Sequence, residues 1–503
     1  MSHPPRSSGR ARRAIVVGSG PNGLTAAALL ARAGWRVDVY ERNAQPGGAA
    51  ASAGTLGAET IVDLGAAGHP FGVASPVFRD LDLTSHGLEW AHTEVPMAHP
   101  LPHGQAAVLY QNLTTTAERL GPDARRWRQV HQHMVEHIDE HLTNLLGPML
   151  RIPPHPLRLA RFAPTALPSA SWLTKTLFST EAARALFLGS AAHAVVPLSQ
   201  PFTGAFGTLF GALGMTRGWP AARGGTSSII SALVSVLTSH GGQLHLNHEV
   251  TNLAELPHAD AIILNVTPAQ VLRLTGQHNI AAHALATSTR RRLDTWRYGT
   301  AAYKVDFLLD GPIPWTNPEV AKAATVHVAG NSRELVHASV EVAAGRMPRY
   351  PFVMVGQQQA ADPTRFTGQD TNTTVVWTYA HVPHGYREPE RGEIAGLIMH
   401  QIERFAPGFA ARIRKQVSTS PAALETWNPN LIGGDIAGGA MTGLQALLRP
   451  GLTLDPYRLR TRTKHCADSP RLYLASSSTP PGAGVHGMPG AWAARAVARD
   501  FSD

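Results

Sequence analysis

The residues best suited to chemistry stand near the start of the chain, where Gly18-Ser19-Gly20-Pro21-Asn22-Gly23 follows the order G-x-G-x-x-G. In that pattern the first glycine permits a tight turn and the second lets backbone approach a pyrophosphate. The third lets a helix pack closely on a strand. The helix start that follows would present unpaired N–H groups and a positive dipole end to the phosphates. Eighteen residues after Gly23 stands Glu41, followed by Arg42. A carboxylate at that place accepts hydrogen bonds from a ribose diol and repels a 2′-phosphate. Glycine-rich turns are common, so the setting decides. Ala14–Val17 reads as a short buried strand, Leu24–Ala33 as a helix of small and aliphatic residues, and Arg36–Tyr40 as a second strand running into Glu41. The spacing predicts a dinucleotide site.

Two further glycine clusters choose between dinucleotides. Gly47-Gly48 follows Glu41 by six residues and would let a second loop close over a cofactor of the length of FAD. Near the other end, Pro481-Gly482-Ala483-Gly484-Val485-His486-Gly487-Met488-Pro489-Gly490 opens a small-residue helix. A helix start there would favour the negative charge that reduction brings to a flavin, an effect of about 0.3–1 kcal/mol that tunes rather than drives. FAD is the expected cofactor. A second dinucleotide fingerprint is not found, so substrate is expected to pass hydride directly to the flavin, with dioxygen or a quinone as the final acceptor.

Other reactive types are less specific. His486, in the late glycine turn, and His69, in the Asp63–Pro70 segment, are the candidate proton-handling residues, since imidazole titrates near neutrality. The competing reading of each is a structural histidine bonded to backbone. His133-Met134-Val135-Glu136-His137 fits the H-x-x-E-H order of some zinc peptidases, and His133, His137 and His141 would share one helical face. Interleaved Glu136, Asp139 and Glu140 make it read as a solvated helix, and no metal is expected. The single cysteine, Cys466, excludes an internal disulfide, a thiolate metal cage and a redox dithiol, and points to the cytoplasm.

The elements that must position these groups follow from 503 residues, 43% hydrophobic and 16% charged, enough for two or three packed cores. The net charge of +9 is carried by arginine, with only five lysines. It is scattered apart from Arg6/Arg10/Arg12/Arg13 and Arg290/Arg291/Arg292, so nucleic acid is not an expected partner. Thr114–Leu146 carries a polar helical pattern. Past Arg184 no Asp, Glu, Lys or Arg occurs before Arg217. Prolines and glycines break that stretch, so it reads as a core helix pair, an apolar pocket lining or a patch touching a bilayer. Then come a helix at Ser227–Ser239 and strands at Gln243–Val250 and Ala261–Val266. Further strands are expected at Ala302–Leu309, Glu334–Glu341, Phe352–Val355 and Thr374–Tyr379, a helix at Gly392–Phe405, and a last strand at Arg471–Ser476. The fold class expected is α/β, a discontinuous Rossmann-type FAD-binding domain with an inserted α+β substrate domain containing a helical subregion.

The ordered set IVVGSGPNGLTAAALLARAG, VYERNAQPGGAA, DLGAAGHP, AARGGTSSI, NVTP and RLYLASSSTPPGAGVHGMPG resembles the phytoene-desaturase and carotenoid-oxygenase-like branch of the FAD-dependent amine-oxidase superfamily. The resemblance implies an FAD-binding domain assembled from 13–75, 220–275 and 425–503. The substrate domain would have a helical part at 76–219 and a strand-rich part at 276–424. It implies that Gly18, Gly20 and Gly23 meet the pyrophosphate and Glu41 the ribose, with Arg42 beside it. Gly47 and Gly48 would touch cofactor through backbone, Val250 would lie near the adenine, and Gly484, Val485, Gly487 and Met488 would surround the flavin. Two positions depart from the family pattern: Ala49 replaces a frequent arginine, and Ser476-Ser477-Ser478 replaces a frequent acid. The activity implied is desaturation or dehydrogenation of an apolar small molecule, with peripheral membrane contact conceivable. Amine oxidation, with Trp377, Tyr379 and Trp427 as candidate flavin-side aromatics, is the first alternative. A flavin-binding assembly protein with little turnover is the second.

Overall fold

The computed structural model describes residues 12–276, 284–462 and 470–502. Arg6, Arg10 and Cys466 lie outside the described residues. The opening strand, Arg13–Val17, pairs in parallel with Arg36–Tyr40 on one side and with Ala261–Leu264 on the other. Between the first two runs the helix Pro21–Arg32, with proline in its first turn where no N–H is needed. The sheet has six strands, ordered Arg458–Leu459, Arg471–Leu474, Ala261–Leu264, Arg13–Val17, Arg36–Tyr40 and Gln243–His245. Only the first pair is antiparallel. Three stretches far apart in sequence therefore build one sheet.

A parallel sheet is buried on both faces, which is why its strands read as continuous apolar runs. Ala14 and Val16 face one core with Ala26 and Val497, while Ile15 and Val17 face another with Val271 and Leu274. The helix Met488–Phe501 lies on the helix Pro21–Arg32. A Cβ on Gly490 would overlap the carbonyl oxygen of Asn22, so only glycine allows this approach.

A seven-stranded sheet carries the second half of the molecule. Its order is Ile413–Thr419, Ala301–Asp310, Thr373–Val382, Val353–Gly356, Ala323–Val328, Val95–Pro100 and Ala106–Leu109. All neighbours are antiparallel except Ala323–Val328 with Val95–Pro100. Side chains alternate across it with period two. Tyr303, Val305 and Phe307 pack with Ile394, Ile398 and Ile402 of the helix Glu393–Glu403. Ala302 and Lys304 turn the other way, into a cavity. Helices between Leu113 and Thr216 cover that side. Buried Arg365, shortly before the strand Thr373–Val382, ties its segment to the short strands Val62–Asp63 and Ala221–Ala222: its guanidinium reaches Asp63 at 2.7 Å, Asp362 at 3.0 Å and the carbonyl of Ala222 at 2.9 Å.

Three expectations change. Glu334–Glu341 is not a strand but part of the helix Ser332–Ala343. Asn331 caps it by accepting from the N–H groups of Arg333 and Glu334, and Leu335, Ala338 and Val342 form its buried stripe at helical spacing. The strand expected to run to Val250 stops at His245, where its pairing with Arg36–Tyr40 ends. The Thr114–Leu146 pattern divides into helices Leu113–Arg119, Ala124–Glu136 and Ile138–Leu145. His137, at φ −127° and ψ 34°, breaks the last two apart, so the H-x-x-E-H order does not lie on one continuous helix. The stretch poor in charge forms helices Glu181–Ala191 and Thr203–Thr216, packed as the expected core pair, and the second of them walls the cavity.

Candidate functional site

A cavity of about 1070 Å³ runs from the glycine turn of the parallel sheet to the helical layer. Its first end is made almost entirely of backbone. Gly18 sits at φ +94°, in the left-handed region that glycine adopts without a Cβ penalty, and its N–H donates to the Tyr40 carbonyl at 2.9 Å. Its own carbonyl accepts from Asn265 Nδ2 at 3.1 Å. The helix Pro21–Arg32 opens at Gly20 with no side-chain cap, leaving its first N–H groups to the cavity end. Gly20 faces Gly48, where a Cβ would stand 3.2 Å from the Gly20 Cα, so the two glycines leave a notch.

Glu41 is buried at the end of its strand. Its Oε2 accepts from the N–H of Ser19 at 3.0 Å and the hydroxyl of Ser19 at 2.7 Å, and its Oε1 accepts from the N–H of Asn43 at 3.0 Å. Those donors fix the carboxylate in the wall with lone pairs to spare for a diol. Asn22 Oδ1 and Gln270 Oε1, on wall residues of the same end, are buried without a partner among the described residues. A dinucleotide fits this end: glycine notch and helix start for the pyrophosphate, Glu41 for the ribose, and orphaned acceptors beside them.

The middle of the cavity is aromatic and carries neutral histidines. His69 Nε2 is 2.9 Å from the hydroxyl of Thr226, which itself donates to the Ala66 carbonyl at 2.7 Å. That hydroxyl proton is committed, so the network assigns the imidazole proton to Nε2 and leaves Nδ1 a bare, buried acceptor. His486 Nδ1 accepts from the N–H of Met488 at 3.1 Å and pins the late glycine turn. Burial lowers both imidazoles to about 4. His69 keeps a free nitrogen, while His486 spends Nδ1 on structure. Phe71 links the regions, 5.7 Å from the His486 ring and 5.1 Å from Phe210.

Beyond Phe210 lies a residue that sequence reasoning missed. His193 stands 5.0 Å from both Phe210 and Trp219, ring to ring, and its Nε2 is 3.0 Å from Nε2 of buried His327. Burial holds His193 at about 3, so the pair shares one proton between neutral rings. Lys304 was missed as well. It projects into the cavity, ion-paired to Asp306 two residues on, with its ammonium 5.9 Å from the Trp377 ring. Burial pulls the lysine down and pushes the aspartate up to about 6, while each charge opposes the other's shift. Trp377 and Tyr379 share the wall, 5.3 Å apart at 71°. Trp427 is not in the wall. A lysine inside a strand of a lysine-poor chain was the available signal for Lys304; none marked His193.

Of the expected site residues, Gly18, Gly20, Glu41, Arg42, Gly48, Val250, Gly484, Val485, His69 and His486 stand in one wall. Gly23, Gly47, Gly487 and Met488 stand behind it. Gly23 packs under the Gly18 carbonyl and Gly487 against Thr25 and Phe78, so both shape the turn from outside the cavity. Ala49, Ser476 and Ser477, at the two departures noted in the sequence, also line it.

The far end is an apolar lobe walled by Leu159, Phe162, Phe206 and Leu209 of the helical layer. Among the described residues no group of three or more His, Cys, Asp or Glu is arranged to hold a metal ion, and His137 instead meets Glu140 at 3.2 Å.

Comparison with known proteins agrees with this architecture. Residues 16–82 match the NAD(P)-binding Rossmann-like domain family. The chain is 24% identical to pyridine nucleotide-disulfide oxidoreductase domain-containing protein 2 of Rattus norvegicus, over 97% of this chain and 94% of that protein. It is 33% identical to a limonene dehydrogenase component of Castellaniella defragrans over 25% of this chain and 24% of that protein. A putrescine oxidase solved with putrescine bound superposes with a TM-score of 0.59 at 14% identity, over 98% of this chain and 99% of that one. The structural likeness establishes the fold, a mixed α/β architecture shared with FAD-binding amine-oxidase-like structures.

Proposed function

We propose that the chain is an FAD-dependent oxidoreductase that takes hydride from an apolar or partly apolar organic substrate, as a dehydrogenase or desaturase. The observation that carries the reading is the continuity of one cavity, from the glycine notch and Glu41 to a lobe of aliphatic and aromatic side chains. Bound FAD would supply the hydride acceptor and pass the electrons to dioxygen or a quinone. The chain's residues supply the rest. Phe206, Leu209 and Phe210 strip water from the substrate and orient it. Loss of hydride from one carbon leaves a proton to be collected from its neighbour. With the shared proton on Nε2, His193 offers Nδ1 as the acceptor, and His327 steadies the charge that results. The similarity to a protein named for limonene, a hydrocarbon, supports the same substrate class.

Amine oxidation is the second reading, favoured by the Trp377–Tyr379 pair and the putrescine oxidase likeness. Against it, no wall carboxylate among the described residues stands beside that aromatic pair to receive a cationic substrate. The wall carboxylates Glu41 and Glu249 both stand at the nucleotide end. Dithiol chemistry of the kind in the rat relative's name has no second cysteine to use.

Purified protein should show absorbance bands near roughly 370 and 450 nm. Under anaerobic conditions, isoprenoid alkenes in detergent should bleach the longer-wavelength band and primary amines should leave it. Bleaching by amines alone would overturn the proposal, and well-folded protein without the bands would remove its basis.

A further inference from the structure

We propose that His193, His327 and His99 form a proton relay that carries the substrate's proton out of the cavity wall and stores it on His99. The inference deepens the dehydrogenase reading above and rests on it for the source of that proton. The relay begins with the sheet. Ala323–Val328 runs parallel to Val95–Pro100, and Thr325 stands opposite Met97. Two residues further along each strand, the period-two alternation brings His327 and His99 side by side on the same face. The helix Glu181–Ala191 covers that face with Gly189. A Cβ on Gly189 would lie 2.6 Å from Nδ1 of His327 and 3.2 Å from Nδ1 of His99. Both nitrogens are buried without a partner among the described residues. Two orphaned ring nitrogens thus converge where only glycine leaves room, and one water held between them would join the rings.

The hydrogen bonds give the relay a direction. Nε2 of His99 is 2.9 Å from the Gly330 carbonyl, so it carries the hydrogen and Nδ1 is a bare acceptor. That acceptor is served by a hydrogen on Nδ1 of His327, which leaves His327 Nε2 to accept from Nε2 of His193 at 3.0 Å. His193 then keeps Nδ1 bare, on a ring that lines the cavity. Every donor points away from the substrate. When hydride leaves one carbon and a C–H bond of its neighbour breaks, that bond's electron pair closes the new C=C bond and the proton bonds to His193 Nδ1. His193 passes its Nε2 hydrogen to His327 Nε2, and His327 passes its Nδ1 hydrogen through the water to His99 Nδ1. Reduction of dioxygen or a quinone consumes a hydride equivalent and one proton, and reversal of the relay returns that proton. Burial keeps the rings neutral at rest, with His193 at about 3 and His99 at about 4. His327 is lowered by burial and further by His193 and His99, so the relay carries one proton at a time. At His99 the bonded Gly330 carbonyl opposes the fall, which makes that ring the resting place.

The test reads tautomers and rates in the full, FAD-loaded chain. Nitrogen NMR of isotope-labelled histidines should show the Nε2–H tautomer at His193 and His99 and the Nδ1–H tautomer at His327, assigned with His193→Gln, His327→Gln and His99→Gln. An Nε2–H tautomer at His327, or a charged ring among the three at neutral pH, would overturn the proposal. Anaerobic flavin bleaching by alkene should slow about tenfold or more in His99→Gln. Gly189→Ala, whose methyl fills the passage, should slow it similarly, and neither should change flavin content or the half-saturating alkene concentration. His131→Gln removes an equally buried ring outside the relay and should bleach at the parental rate. Parental rates in both relay variants would overturn the proposal, and so would equal slowing by His131→Gln, which would assign the effect to lost packing. Tautomers are read without turnover. The expected tautomers without bleaching by any alkene would keep the hydrogen-bonded relay and remove the substrate reading alone.

Discussion

The two ends of the cavity are built on opposite plans. The end expected to take a nucleotide is made by leaving side chains out: Gly18, Gly20 and Gly48 clear a notch, and one carboxylate, Glu41, would supply the directed contact. The lobe is made by putting side chains in, with Phe162, Phe206 and Leu209 setting its shape. A site made of backbone tolerates little substitution, because a Cβ on Gly18 or Gly48 would press on backbone atoms at 3.0 and 3.2 Å. A site made of apolar volume can be repacked. The first end is accordingly suited to one cofactor, and the second to a class of substrates.

Acid should break the comparison most severely, because the buried neutral histidines gather around the aromatic middle and the lobe. His69, His99, His131, His381 and His486 are lowered by burial to about 4, and His193 to about 3. Unfolding exposes them to an ordinary value near 6.5. The stability they contribute is therefore complete above that pH and lost as pH falls toward 4. Each adds about 1.4 kcal/mol per pH unit to the slope across that window. Urea midpoints measured from pH 7.5 to 4 should fall steeply, and a flat profile would contradict the assignment of neutral rings.

Gly490→Ala strikes the nucleotide end from behind. Its Cβ would overlap the Asn22 carbonyl, so the closing helix must shift. The expected cost is about 3 kcal/mol in thermal stability. Flavin should be lost on gel filtration, and retention at parental occupancy would show that the helix can relax. Glu41→Gln should be milder. Replacing a charged acceptor weakens FAD binding by about 1.5–3 kcal/mol, read by reconstitution titration, and the apoprotein melting temperature should fall as well, because an amide cannot accept from both Ser19 and Asn43 as the carboxylate does. Leu209→Ala tests the other end and should be the smallest. It should raise the half-saturating alkene concentration by about 1–2 kcal/mol equivalent and leave flavin content unchanged. An effect of Leu209→Ala on FAD retention would mean that the two ends are not independent.

The same contrast explains what could be read from the sequence. The first strand, helix and strand were legible because a glycine turn, a buried apolar run and a terminal acid lie within thirty residues of one another. The late glycine turn was legible for the same reason, although nothing local showed that Gly490 meets Asn22. The lobe was visible only as a stretch without charge. Lys304 and Trp377 acquire meaning from strand pairing, in which Lys304 faces Tyr379 and Asp306 faces Trp377 across the ladder. His193 and His327 meet across 134 residues, from a short helical turn and a strand, with no pattern to announce them. At Glu334–Glu341 the alternation of the sequence suggested a strand, and the Asn331 cap with its buried stripe decided for a helix.

Arg365 bears on how the molecule can move. A guanidinium held between Asp63 and Asp362, with all three side chains buried, is a rivet between the short strand Val62–Asp63 and the segment that leads into Thr373–Val382. Swinging them apart like a jaw would strand three charges in a low-dielectric seam, a penalty of several kcal/mol on each opening. Parting of these two segments is therefore suppressed, and the wall of the cavity near Leu64 to His69, which follows Asp63 directly, is held in place.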